Sequence, residues 1–205
     1  MQTAFDQLPL ACVVGGHILC VHGGVGDGRW DLNDLRAVRR PLGQQELGSS
    51  KFRWVHNILW SDPIEDDRAQ RDAERDALHV CILCCAECLY PWPNLTRFGW
   101  DVTKTFCARN GVDMVVRSHQ SKKNGLGFDL MHDECLIRVF SARDYEGHCN
   151  DGAVLLVRSG EDEGLQGRPS LSVRAQVVGS YGKAVQRSQA KSKGPETGGA
   201  HLWQG

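Results

Sequence analysis

Two short apolar runs, about a hundred residues apart, each lead to a histidine. The first is Ile18-Leu19-Cys20-Val21-His22-Gly23-Gly24-Val25, the second Met114-Val115-Val116-Arg117-Ser118-His119. A brief aliphatic run that stops at a polar residue has the form of a buried strand delivering one side chain to the rim of a sheet. The two glycines after His22 let the backbone pass close to whatever the imidazole touches. Two strands of this kind can bring their histidines to one point. Imidazole nitrogen suits zinc, iron and similar metals, so the pair raises a metal-bearing hydrolase. Either histidine taken alone is an ordinary strand-end residue.

Composition narrows the alternatives. The chain has 205 residues, enough for one domain with a tail. A formal net charge of -1 argues against an electrostatically held nucleic-acid or membrane partner. No apolar run approaches bilayer length. The first residues, Met1-Gln2-Thr3-Ala4-Phe5-Asp6, show no basic segment followed by a hydrophobic one. Nine cysteines without such a leader read as free thiols in a reducing compartment, hence an intracellular, cytoplasmic or nuclear protein.

Local signals set out the elements. Residues 8–14 and 18–21 form a hairpin about Gly15-Gly16-His17. Asp31 caps a helix through Val38. Residues 51–60, strand or helix, run into the turn Ser61-Asp62-Pro63. A charge-dense stretch from Glu65 gives way to Cys81, Cys84, Cys85 and Cys88, and Tyr90-Pro91-Trp92-Pro93 breaks it. Two abutting C-x-x-C pairs, with His79 nearby, suggest zinc or an iron–sulfur centre. Structural zinc sites, however, usually separate their pairs by about a dozen residues or more. An atypical insertion is therefore the better reading. Asp101 caps a helix to Asn110, which Gly111 stops. Strands follow at 114–116, 135–140, 153–157 and 171–178, and beyond Gly182 little remains that a core could bury.

Six short motifs occur in order: Leu8-Pro9-Leu10-Ala11, His22-Gly23-Gly24, Leu59-Trp60-Ser61-Asp62-Pro63, Thr96-Arg97-Phe98-Gly99, Arg117-Ser118-His119 and Phe140-Ser141-Ala142-Arg143-Asp144-Tyr145. Together they resemble the C-terminal half of the catalytic domain of PPP-type serine/threonine protein phosphatases. The resemblance implies an α/β fold, the metallo-dependent phosphatase (calcineurin-like) β-sandwich with flanking helices, present only as its C-terminal half. Residues 1–182 would form that half, with 64–93 an atypical insertion and 183–205 a disordered tail. It further implies two divalent metal ions (Mn, Fe or Zn), ~3.5–4 Å apart, that activate water against phosphoserine or phosphothreonine. By match, His22 and His119 would ligate one ion, and this chain would supply ligands for only that one. Asp62 matches the aspartate beside the active site, and Tyr145 the tyrosine on the loop over the cleft. The implied partners are a phosphoprotein substrate and a regulatory protein subunit.

Three motifs of the family's first half, Gly-Asp-x-His-Gly, Gly-Asp-x-x-Asp-Arg-Gly and Gly-Asn-His-Glu, do not occur in this chain. Where the family carries a phosphate-gripping arginine, this sequence has Trp92-Pro93, which cannot form a guanidinium fork; Arg97 is a nearby alternative. The expected function is thus a serine/threonine phosphoprotein phosphatase. The alternative is a truncated, catalytically inactive pseudophosphatase that acts as a binding module. A phosphoesterase of nucleotides or other small esters fits the Trp60-Ser61-Asp62-Pro63 and Phe140-Ser141-Ala142 motifs less well.

Overall fold

Gly15 and Gly16 turn the chain with φ of +59° and +78°, a region that suits a residue without a Cβ. Around them β1 (Cys12–Val14) and β2 (Ile18–Cys20) form the expected antiparallel hairpin, preceded by the short α1 (Gln2–Phe5). The structure, a computed structural model, describes residues 2–65, 96–122, 125–163 and 169–192. Asp31 caps α2 (Leu32–Ala37) by accepting from the Asn33 and Asp34 backbone N–H groups, while the Asp34 carboxylate accepts from the Asp31 N–H. After α3 (Gln44–Leu47), residues of the 51–60 segment resolve as a helix, α4 (Arg53–Trp60), which turns Val55 and Ile58 inward. The strand β3 (Asp62–Pro63) pairs in parallel with β4 (Arg97–Phe98). Next comes α5 (Trp100–Asn110), whose N-cap is Gly99 and not Asp101. Asp101 lies in the first turn, where its charge complements the helix dipole. Gly111, at φ +63°, ends the helix as the sequence implies.

The principal sheet has the order β1-β2-β5-β7-β6, with β5 (Met114–Arg117), β6 (Phe128–Met131) and β7 (Leu136–Val139). Both β2–β5 and β5–β7 are parallel, and β6–β7 is antiparallel. Register aligns Leu19, Val115, Leu136 and Met131 in one row across four strands. That row is buried with Ile58 of α4 and Phe106 and Cys107 of α5, so the helices cover this face and make it the core. The sequence reading missed β6, because Asp129 interrupts its apolar pattern. In the fold that carboxylate pairs with Arg138 on β7 at 2.6 Å.

Behind β6, His132 is fully buried and shares a 2.7 Å hydrogen bond with Thr103 of α5. Its Nε2 lies 3.0 Å from the Ile64 carbonyl. Thr103→Val keeps the shape and removes that hydroxyl, leaving the buried His132 Nδ1 without it; an unfolding free energy lower by about 1–3 kcal/mol, seen as a lower urea midpoint, is expected. An unchanged midpoint would show that the bond adds nothing.

A long ribbon, β8 (Gly152–Glu163) with β9 (Pro169–Val178), follows, and Leu171 reaches the Gly15 turn of the first hairpin. The tail expected at 183–205 begins differently: α6 (Tyr181–Ser192) is helical. Polar contacts that composition does not reveal hold its start. Asp144 accepts from the Ser180 hydroxyl and from the Tyr181 and Gly182 N–H groups, and Asp151 accepts from Lys183 Nζ at 2.8 Å. The rest of that tail, the Cys81, Cys84, Cys85 and Cys88 cluster, and most of the 64–93 insertion lie outside the described residues. Among the described residues no helix is long and apolar enough to cross a membrane.

Candidate metal centre

The parallel pairing of β2 with β5 continues past both strand ends. Val21 N–H donates to the Val116 carbonyl at 2.9 Å, and Ser118 N–H to the His22 carbonyl at 3.0 Å. Neighbouring strand ends thus carry His22 and His119 together, and their ring centroids stand 5.1 Å apart, edge to face at 69°. His119 has φ +63°, and Gln120 N–H closes a three-residue turn on the Ser118 carbonyl at 2.7 Å. Left-handed backbone at a non-glycine residue stores strain, and here it aims one imidazole at the other.

The backbone around His22 allows no side chain beyond it. A Cβ on Gly23 would meet the Leu59 and Trp60 backbone at 2.5–2.8 Å. One on Gly24 would meet the Phe98 ring at 2.3 Å and Ser61 Oγ at 2.9 Å. These contacts let Gly23 N–H donate to the Ile58 carbonyl at 2.7 Å, which docks the histidine loop on the end of α4.

Arg117 ties these pieces together. Its side chain is wholly buried, and it donates to Gly23 O at 2.6 Å, Gln120 Oε1 at 2.7 Å, Ser61 O at 3.2 Å and Asp62 Oδ1 at 2.9 Å. One planar cation therefore joins the His22 loop, the Ser61-Asp62 turn and the residue after His119. Burial pulls the guanidinium down to about 10, against the pull of Asp62, so it stays charged at neutral pH. Loss of solvent around the ring, and then the Arg117 charge, lower the His22 pKa. Loss of solvent also lowers that of His119; Asp62 opposes this, and Arg117 and His22 add to it. Both rings are thus held neutral at neutral pH, the form in which imidazole offers a lone pair to a metal.

His22, His119 and Asp62 come together as one cluster, with Asp62 joined to it through Arg117. Tyr145 belongs to a different neighbourhood. Its ring stands edge to face with Phe140 at 5.1 Å, and its N–H donates to Asn150 Oδ1. Trp60, half out in solvent, sets its ring at right angles to His119 at 5.2 Å. Arg97, exposed, pairs in register with Asp62. Trp92 and Pro93 lie outside the described residues. The sequence reading named Arg117 within a motif and gave it no role. In the strand Arg117 falls on the same buried face as Val115, a placement that the run Met114-Val115-Val116-Arg117 does not reveal by itself.

As donors, the two neutral imidazoles fit part of a divalent-metal site. Among the described residues no group of three or more His, Cys, Asp or Glu is placed to hold one metal ion, Asp62 being paired with Arg117, whereas catalytic zinc keeps three protein ligands.

A mixed sheet carries paired imidazoles on the ends of adjacent parallel strands, the placement expected of a metal-bearing hydrolase. The comparisons agree: a model of the calcineurin-like phosphoesterase family matches residues 2–123. The chain belongs to that family. It is 31% identical over 155 residues, 75% of its length, to the serine/threonine-protein phosphatase BSL2 of Arabidopsis thaliana, and covers 13% of that protein. A solved protein serine/threonine phosphatase from Saccharomyces cerevisiae, described as similar to human phosphatase PP5, superposes with a TM-score of 0.56 at 24% identity. The match covers 84% of this chain and 48% of that one. The second likeness establishes the fold. The chain therefore spans well under two thirds of either relative.

Proposed function

We propose that this chain forms part of a serine/threonine phosphoprotein phosphatase site, in which water hydrolyses phosphoserine and phosphothreonine. The convergence of His22 and His119 on adjacent parallel strand ends carries the reading. When bound, a pair of divalent ions (Mn, Fe or Zn) supplies Lewis-acid chemistry that acidifies water and offsets phosphoryl charge. His22 and His119 would hold one of them through neutral nitrogens. Arg117 keeps the two loops in register and fixes the Asp62 carboxylate beside them. The exposed Arg97 guanidinium is the group we assign to the substrate phosphate, in place of the family's upstream arginine. Tyr145 is assigned to the loop over the substrate. The protein partners implied by this reading are phosphoprotein substrates and a regulatory subunit, in an intracellular setting.

A second reading is supported by the two-donor count among the described residues: a catalytically inactive relative that binds partners. Two measurements separate them. Calorimetric titration with Mn²⁺ and Zn²⁺ should show binding that His22→Ala or His119→Ala each weakens by about tenfold or more. Release of phosphate from a phosphoserine peptide with Mn²⁺ present should then fall in both variants. Metal binding without turnover favours the inactive relative. Metal affinity indifferent to both substitutions would sink the site itself.

A further inference from the structure

The first hairpin carries a feature that the metal site does not use. Cys12 on β1 and Cys20 on β2 are directly opposite each other in the antiparallel register. Both are free thiols; Cys12 is exposed and Cys20 half-buried. Opposed residues in an antiparallel pair have Cα atoms about 4.5 or 5.5 Å apart, according to their place in the ladder. Disulfides span Cα separations of about 4.4–6.8 Å, so either spacing can be bridged. Residues opposite each other also point to the same face of the sheet, which puts both sulfurs on one side.

We infer that Cys12 and Cys20 are an oxidation site that closes to a cross-strand disulfide under hydrogen peroxide. The chemistry is a two-electron oxidation. The exposed Cys12 thiolate attacks peroxide: an S–O bond forms, the O–O bond breaks, and hydroxide leaves, giving a sulfenic acid. The Cys20 thiolate then attacks the Cys12 sulfur. The S–S bond forms, the S–O bond breaks, and a second hydroxide leaves. Two thiols and one peroxide give one disulfide and two waters. The order of events follows from exposure.

Other described cysteines are placed to stay out of this reaction. Cys107 is buried and its thiol is pushed up to about 12, chiefly by burial. Cys135 and Cys149 lie outside the hairpin. The bridge would pin the edge strand to the strand that leads, two residues later, to His22. This inference does not rest on the phosphatase reading.

The chain offers a direct assay, because no Lys or Arg occurs before Arg29 and no other cysteine lies in that stretch. Limiting hydrogen peroxide, iodoacetamide alkylation and trypsin should yield a 1–29 peptide that lacks two hydrogens and both alkylation sites. Dithiothreitol should restore both. Cys20→Ser should halt Cys12 at the sulfenic acid, trapped by dimedone, and Cys12→Ser should leave Cys20 reduced at the same dose. In urea, where the register is gone, the pairing should lose its preference over bridges to other cysteines. Wild-type protein that accumulates dimedone-labelled Cys12 beside alkylatable Cys20 overturns the inference. So does a folded chain in which both thiols stay reduced, or one that bridges either to Cys135 or Cys149.

Discussion

Replacing Arg117 with methionine lowers the unfolding free energy by about 3–5 kcal/mol, read from the midpoint and slope of a urea denaturation curve. The size follows from what is left behind. Gly23 O, Ser61 O, Gln120 Oε1 and the Asp62 carboxylate all lose their shared donor, with Asp62 only 24% exposed. Deleting one partner of a buried ion pair costs more than the pair itself contributes, since the remaining charge stays desolvated. Arg117→Lys should recover only part of the loss, because an ammonium cannot make the same planar fork. The two variants should also weaken Mn²⁺ binding without touching either histidine, as the loops that hold the imidazoles separate. A loss below about 1 kcal/mol for the methionine variant would mean that the four contacts do not form in solution.

Phe98→Ala is expected to cost about 3–5 kcal/mol by the same measurement, the usual range for emptying a phenylalanine site in a close-packed core. Phe98 is 1% exposed, stands edge to face with His132 at 5.8 Å, and fills the space where Gly24 has no side chain. That last contact permits a double-mutant cycle. Gly24→Ala alone drives a methyl group into the Phe98 ring and should cost about 1–3 kcal/mol. In the Phe98→Ala background the clash with the ring is gone and only Ser61 Oγ at 2.9 Å still crowds the methyl, so its cost should shrink, a coupling of about 0.5–3 kcal/mol. Strictly additive losses would show that the ring and the glycine do not meet.

Much of the frame was legible because local chemistry decided it. The Gly15-Gly16 turn, the Asp31 cap and the Gly111 stop each follow from one or two residues whose backbone preferences leave little choice. Strands with one buried face and a largely half-buried other face read as apolar runs, which is why Ile18–Cys20 and Met114–Arg117 stood out. The features that escaped depend on which residues the fold places opposite or beside each other. Asp129 makes β6 look like a loop until Arg138 is placed opposite it. The start of α6 is polar, and only Asp144 and Asp151, some thirty or more residues earlier, show why a helix begins there. For the site, the histidines were visible as strand ends. The buried guanidinium between their loops was not, since a sequence shows that a residue is basic and not that it is enclosed. Tyr145 was singled out by motif alone, and its described contacts stay within its own loop and Phe140.

The parallel pairing of β2 with β5 has a kinetic side. Ile18 aligns with Met114, so the strands that bear His22 and His119 can meet only after most of the intervening chain has been gathered in. Closing so long a loop is an entropic cost met before any contact across it gains, which makes such pairings late and slow events in folding. Metal affinity should therefore emerge near the end of refolding, behind helix formation. A stopped-flow trace of Zn²⁺ uptake that trails the far-ultraviolet signal would record the moment at which the two halves of the sheet close on each other.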